Sequence, residues 1–266
     1  MGDSREAFMV RAVGRYTLEI VQSLGDLALF VGRSFRMAVG SRKLGRRVVR
    51  AMFEQGARCL PVILIVGLFT GLVLGLQGYY VLNRFGSESL LGTLVSLSIV
   101  RELGPVLAAL MLVGQAGSAL AAELGIQRNT EQIAALETMG VSSHAYLVAP
   151  RLIAALMVFP MQTALFCCVG LWGGSLSGSL LLGLEPGIYW SAVERAVELV
   201  DVRECMTKAV TFGFLTMTLC AYHGFNAHRC RSGTGARGVS ASTTRAVVQS
   251  SIIVLAADYV ITSFLI

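Results

Sequence analysis

The chain has 266 residues, of which 55% are hydrophobic and only 14% are charged, and its formal net charge at pH 7 is +6. Soluble domains carry about 25% charged residues, so this composition excludes an ordinary soluble protein and predicts an all-α integral membrane protein. Half of the 22 lysines and arginines fall within residues 1–58. That crowding indicates a segment beside anionic lipid headgroups rather than a nucleic-acid-binding surface.

Motifs for chemistry on this chain are missing from the sequence. It has no GxxxxGK[ST] loop for ATP, and no HExxH, GxSxG or paired carboxylates. The six cysteines lack CxxC spacing and mostly lie in apolar runs, which favours small buried side chains over a zinc site or a disulfide. We therefore expect no catalytic residue, no metal site and no cofactor on this chain. The polar, basic start of the chain predicts no cleavable signal peptide.

The N-terminal part, residues 1–58, is predicted to be cytoplasmic. Residues 7–39 mix apolar and charged positions at helical spacing, with too many charges for a span. This pattern favours a helix that lies in the membrane interface. The alternative is an ordinary solvated helix packed on the membrane domain. A basic linker follows, and residues 59–266 form the predicted membrane domain.

Five spans are predicted, at approximately 59–82, 91–122, 146–178, 204–225 and 246–265. The first span carries Gly67, Gly71 and Gly75 four residues apart, a face that lets another helix approach closely. The second span is too long for a bilayer and contains Pro105, which has no N–H for the carbonyl of Arg101. We expect that freed carbonyl to find another partner beside a polar cavity.

The loops predict the orientation of the chain. Residues 1–58 carry 11 basic residues and the loop 226–245 carries 4, whereas the opposite loops carry only Arg84, Arg195 and Arg203. The positive-inside rule therefore places the N-terminus in the cytoplasm and the C-terminus outside. The connector between the second and third spans is then cytoplasmic.

That connector contains a predicted short helix over approximately 129–140. We expect the preceding span to break near Glu123, Asn129 to cap the short helix together with Gln132 in a capping box, and Gly140 to end it. Its packed face is predicted to hold Ile133, Leu136 and Met139, and its exposed polar residues are predicted to be Glu131, Gln132 and Glu137. The alternatives are a helix that couples to a partner outside the membrane and a simple capped loop.

Ionisable residues inside spans are the strongest candidates for function. Arg101 and Glu102 lie in the second span, and Lys208 lies in the fourth. One interpretation is that they line a cavity for an amphiphilic substrate. The alternative is that Glu102 pairs with Arg101 or Lys208 only to neutralise buried charge.

Several runs in the chain resemble the MlaE (YrbE) family, the permease subunits of bacterial phospholipid ABC transporters. The runs are ELGPV at 102–106, AGSAL at 116–120, AELG at 122–125, TEQI at 130–133 with Met139 and Gly140, WGG at 172–174 and TTR at 243–245. The resemblance covers most of residues 55–266. It implies that the protein moves phospholipid between the inner membrane and a periplasmic carrier and so maintains outer-membrane lipid asymmetry.

The resemblance also implies partners and a location. These are a second copy of the chain in a homodimer, a cytoplasmic ATPase that binds ATP and Mg²⁺, a STAS-domain protein and a periplasmic MCE-domain protein, at the bacterial inner membrane. The short helix would then couple to the ATPase through Glu131, Gln132, Ile133, Leu136, Glu137, Met139 and Gly140. We expect no nucleic-acid partner.

A lipid cavity is expected where two subunits face their glycine-rich spans together. The predicted lining residues are Leu74, Gln77, Val81, Leu82, Arg101, Glu102 and Lys208, with tails on the apolar positions and the headgroup on the polar ones. A proton-coupled secondary transporter that uses Glu102 is an alternative, although no inverted repeat is visible. A non-transporting membrane scaffold is another.

Overall fold

The structure is a computed structural model that describes residues 22, 25–34, 36, 44–181, 183–229 and 235–265. These residues are helical or lie in short connections, and no strand occurs among them. The all-α prediction is confirmed. Residues 25–34 are helical, but most of the predicted interfacial helix over 7–39 lies outside the described residues.

Eight further helices follow in the described chain. They are α1 (Leu44–Gly56), α2 (Leu60–Asn83), α3 (Glu88–Asn129), α4 (Gln132–Thr138), α5 (His144–Leu180), α6 (Pro186–Ala196), α7 (Leu199–Phe225) and α8 (Ala236–Leu265). The connections between these helices lie at two opposite ends of the bundle, which are named here after the short helices α6 and α4. The α6 end carries the connections after α2 and α5, and the α4 end carries the connections after α3 and α7.

Four helices of the described chain, α2, α3, α5 and α8, are long and apolar enough to cross a membrane. The predicted fourth span lies within α7, which has 27 residues but is not among the four. Its first turns hold Asp201, Arg203, Glu204 and Lys208, which lower its hydropathy. Helix α7 packs against α3, α5 and α8 and is widely buried. The number of five spans therefore stays a prediction.

Helix α3 runs further than the sequence suggested. Its 42 residues extend for about 60 Å at about 1.5 Å per residue, twice the apolar thickness of a bilayer. The predicted break near Glu123 is wrong, because the helix continues to Asn129. Leu120 and Leu124 are buried on the inner face of this last part, so packing keeps the polar stretch helical.

The glycine face of α2 packs against α5 of the same chain. A Cβ at Gly71 would overlap the carbonyl oxygen of Gly170, and one at Gly75 would lie 2.9 Å from that of Gly174. Only glycine permits this approach of the two backbones. Each glycine face is therefore covered within the chain and is not available to a second subunit, and a meeting of two subunits at other faces of these spans stays a prediction.

Candidate functional site

A cluster of charged residues surrounds Lys208 near the α6 end of the bundle. The side chain of Lys208, on α7, is only 2% exposed. Its ammonium donates hydrogen bonds to the Arg101 carbonyl (2.9 Å), Glu102 Oε2 (3.0 Å) and Thr262 Oγ1 (2.7 Å). Asp258 Oδ1 lies 3.2 Å from the same nitrogen as a charge partner without hydrogen-bond geometry. All three N–H groups of the ammonium are thus used.

The geometry of α3 explains why the Arg101 carbonyl is available. Pro105 has no N–H to serve that carbonyl, and a π-type turn over Ser98–Leu103 precedes it. Lys208 supplies the missing donor at 2.9 Å. The prediction that Pro105 frees this carbonyl for another partner is confirmed. One side chain therefore satisfies both a buried backbone group and a buried carboxylate.

Arg101 turns away from Glu102. Its Nε lies 2.7 Å from Oδ1 of Asp201, at the first turn of α7. The other oxygen of Asp201 accepts the backbone N–H of Glu198 at 3.0 Å and completes a capping box. Of the two partners that the sequence left open for Glu102, the structure pairs it with Lys208 and not with Arg101.

The cluster has a closed side and an open side. The side chains of Lys208 and Asp201 are both 2% exposed, whereas those of Arg101 and Glu102 are 51% and 43% exposed. The interior groups hold α3, α7 and α8 together. The half-exposed pair presents one cation and one carboxylate to whatever lies beside the bundle, an arrangement suited to a zwitterionic or amphiphilic ligand.

Sequence reasoning did not include three members of this cluster, Asp201, Asp258 and Thr262. Asp258 is an ionisable residue within an apolar run, the same signal that selected Glu102. Thr262 follows four residues later and therefore lies on the same helical face. Asp201 shows only the spacing of a capping box with Glu198, which predicts a helix start rather than an ion pair.

The predicted lipid residues of α2 divide between two faces. Leu74 and Leu82 are partly buried against an apolar cluster that includes Ile99 and Val100, directly before Arg101. Gln77 and Val81 are exposed. Two of the four therefore pack against the chain's own apolar core, and two are exposed.

The predicted short helix exists as α4, with a different start. Asn129 is the last residue of α3, and its Nδ2 donates to the Gly235 carbonyl at 3.0 Å. Glu131 adopts a left-handed backbone with φ of 57° and precedes α4 without a side-chain cap. The predicted capping box of Asn129 and Gln132 is therefore wrong, because the reversal at Glu131 separates the two helices.

Gly140 ends α4 as predicted. Its φ is +74°, and its N–H donates to the Glu137 carbonyl at 3.0 Å. The N–H of Val141 donates to the Leu136 carbonyl at 3.0 Å. These two bonds form a Schellman motif, in which the left-handed position favours glycine. The turn fixes the exit of the chain towards α5.

The faces of α4 match the prediction except at Met139. Ile133 is buried and Leu136 is partly buried in the main apolar core, whereas Met139 is 68% exposed. Glu131, Gln132 and Glu137 are exposed, and Glu137 accepts a hydrogen bond from Ser143 Oγ at 2.8 Å. The prediction that Met139 packs is wrong, because the helix ends before it.

The fold is that of a multi-helix membrane protein with a cluster of ionisable residues between its helices. Residues 48–264 match the family model described as Permease MlaE. The chain belongs to this family.

Three relatives show how far the similarity extends. The "Intermembrane phospholipid transport system permease protein MlaE" of Haemophilus influenzae is 36% identical over 96% of this chain and 97% of its own length. A "Probable ABC transporter permease protein" of Rickettsia typhi is 37% identical over 95% of this chain and 96% of its own. "Protein TRIGALACTOSYLDIACYLGLYCEROL 1, chloroplastic" of Arabidopsis thaliana is 31% identical over 82% of this chain and 61% of its own.

Proposed function

We propose that this chain is the membrane-embedded permease subunit of an ABC transporter that moves phospholipid between a bacterial inner membrane and a periplasmic lipid carrier. The observation that carries the proposal is similarity over nearly the whole chain to a protein named as the permease of intermembrane phospholipid transport. ATP and Mg²⁺ would bind to a separate subunit.

The charged cluster supports a phospholipid as the substrate. Arg101 is a half-exposed cation anchored by Asp201, so its position is fixed while part of its guanidinium stays accessible. A guanidinium binds a phosphate oxygen well. Leu74 and Leu82 lie beside the same apolar cluster that precedes Arg101. A headgroup at Arg101 and Glu102 would therefore have apolar contacts for its tails nearby, with a second copy of the chain completing the cavity.

Helix α4 supports coupling to an ATPase. Ile133 anchors it in a core that also contains Leu124 of α3, Leu147 of α5 and Phe225 of α7. Gln132 and Met139 remain exposed on the outside. A displacement of α4 by a bound partner would therefore act on three long helices at once. On this proposal the α4 end is cytoplasmic, and the STAS-domain and MCE-domain partners bind on opposite sides of the membrane.

Co-purification tests the proposal. The full chain is purified from its native membranes as wild type, as Met139→Arg and as Phe85→Arg, and ATP hydrolysis by the purified material is measured. Phe85 is the matched control, because it is an equally exposed apolar residue at the α6 end. We expect ATPase activity with wild type and Phe85→Arg, and its loss with Met139→Arg.

Two outcomes contradict this proposal. If no ATPase activity accompanies any of the three proteins, the ABC assignment fails. Lipid movement in proteoliposomes driven by a pH gradient, and abolished by Glu102→Gln, would then favour a proton-coupled transporter. If Phe85→Arg loses the ATPase while Met139→Arg keeps it, α4 is not the docking element.

A further inference from the structure

A second polar region lies at the α4 end, in a cavity of about 270 Å³ between α1, α3 and α5. A water molecule occupies about 30 Å³ in the liquid, so the cavity has room for a larger group. Small apolar residues of α3, including the buried Ala116 and the exposed Ala119, line it together with polar and charged side chains. The cavity is thus amphiphilic and is separate from the cluster around Lys208.

Helix α1 indicates the depth at which this cavity opens. Its exposed apolar residues Val49 and Phe53 share the helix with the exposed Arg46 and Arg50. An amphipathic helix with exposed apolar side chains and flanking arginines lies along the headgroup layer of a membrane. With α1 in that layer, the mouth of the cavity would lie at the level of lipid phosphates.

The charges around the cavity leave one cation without a partner. Glu54 pairs with Arg50 at 3.0 Å, and Glu123 pairs with Arg151. Arg58 lines the cavity and has neither an ion pair nor a hydrogen bond within the described part of the chain. Because both carboxylates of the rim are already paired, Arg58 is the position at which an anion would bind.

Gln55 adds a second unsatisfied group. This side chain is only 6% exposed and lines the same cavity. Its Nε2 donates to the Arg151 carbonyl at 3.3 Å, whereas its Oε1 has no partner among the described residues. A buried amide oxygen without a donor is unfavourable. The cavity therefore combines a free cation with a hydrogen-bond acceptor that needs an N–H or O–H group.

We propose that this cavity binds the headgroup of a phospholipid from the membrane leaflet at the α4 end, with the phosphate at Arg58 and a donor group at Gln55 Oε1. The ammonium of ethanolamine can donate to Gln55, but the quaternary ammonium of choline has no N–H. The site therefore prefers phosphatidylethanolamine to phosphatidylcholine, two lipids of equal net charge. This inference rests on the proposed function, because it takes a phospholipid as the ligand of the transporter.

Native mass spectrometry of the full-length chain in detergent tests this site. The wild type is titrated with each of the two lipids, beside Arg58→Gln, Arg58→Lys, Gln55→Met and Arg46→Gln. We expect wild type to bind phosphatidylethanolamine about fivefold more tightly than phosphatidylcholine, the size of effect that one additional hydrogen bond gives. Arg58→Gln should weaken both lipids about fivefold, and Arg58→Lys should retain most of the binding.

The other two variants separate the contribution of the Gln55 acceptor from that of general attraction by positive charge. Gln55→Met keeps the length of the side chain and removes the acceptor, so it should abolish the difference between the two lipids. Arg46→Gln removes the same charge from the exposed face of α1, outside the cavity, and should change nothing. Equal loss in Arg46→Gln and Arg58→Gln would overturn the site, because attraction would then be general. Equal binding of both lipids by wild type would overturn the role of Gln55.

A competition distinguishes a lipid headgroup from a soluble anion. If inorganic phosphate at millimolar concentration displaces the lipid from wild type and binds with the same dependence on Arg58, the site takes free phosphate and the proposal fails. The readout is independent of ATP hydrolysis. A chain that binds phosphatidylethanolamine through Arg58 but purifies without an ATPase overturns the proposed function and leaves this site, and the opposite pattern overturns only the site.

Discussion

The two ends of the bundle treat their polar groups in opposite ways. At the α6 end, the Lys208 ammonium uses all three donors and has a further carboxylate beside it. At the α4 end, Arg58 has no partner within the described residues, and Gln55 Oε1 receives no hydrogen bond. A satisfied network fixes helices to each other, whereas unsatisfied groups around a cavity are available to a ligand. Variants of the buried Lys208 and of Arg58 should therefore separate stability from binding.

The largest effect is expected from Lys208→Met. This change removes the donor that Glu102 and the Arg101 carbonyl share, and it leaves the largely buried Asp258 without its charge partner. Breaking a buried ion pair by removing one partner costs about 3–5 kcal/mol. The free energy of unfolding of the purified chain, measured by denaturant titration in detergent, should fall by that amount.

A second variant tests whether uncompensated charge causes the loss of stability in Lys208→Met. Adding Asp258→Asn to Lys208→Met removes one of the orphaned carboxylates and should recover part of the lost stability. If the double variant is less stable by the sum of both single effects, the two residues do not interact. The ion pair at 3.2 Å would then contribute nothing to the contrast between the ends.

An intermediate effect is expected from Asp201→Ala. This residue is buried, pairs with Arg101 and caps α7 through the Glu198 N–H. Loss of a cap together with a buried acceptor costs about 2 kcal/mol. Asp201→Asn retains a cap but loses the charge, and should cost less because Arg101 is half-exposed. Equal losses of unfolding free energy in the two variants would assign the whole effect to the ion pair.

A smaller, local effect is expected from Gly140→Ala. The α4 end is shaped by backbone conformation, since Gly140 has φ of +74° and both turn hydrogen bonds depend on it. A side chain in the left-handed region costs about 1 kcal/mol. Hydrogen exchange should speed up in α4 and leave α7 unchanged. Gly140→Asn is the control, because asparagine tolerates this conformation, and equally fast exchange in Gly140→Asn would exclude backbone strain as the cause.

Local rules predicted the features that depend on one residue's own chemistry. The missing N–H of Pro105 predicted a free carbonyl at Arg101, and the structure gives Lys208 as its partner. Glycine's access to positive φ predicted the end of α4 at Gly140. The charge of Glu102 within a span predicted an ion pair with Arg101 or Lys208, and the structure forms the pair with Lys208. In each case the chemistry of one residue left few alternatives.

Features that depend on tertiary contacts were not predictable in the same way. The glycine face of α2 indicates a close neighbour but does not name it, and Gly170 of the same chain fills that place. The polar sequence after Glu123 suggested an early end of α3, whereas burial of Leu124 keeps the helix intact to Asn129. Asp201 joined the site through a contact 100 residues distant in sequence.

The smallest effect on stability is expected from Arg58→Gln. This variant tests directly whether the polar groups at the α4 end, unlike Lys208 at the α6 end, are dispensable for the fold. Arg58 is exposed and unpaired in the described part of the chain, so the folded state does not depend on its charge. The unfolding free energy of the Arg58→Gln variant in lipid-free detergent should stay within about 0.5 kcal/mol of that of wild type. With phosphatidylethanolamine present, wild type should gain stability by ligand binding and the variant should gain less. A loss of more than about 1 kcal/mol without lipid would mean that Arg58 holds the fold, and the α4 end would then resemble the closed cluster around Lys208.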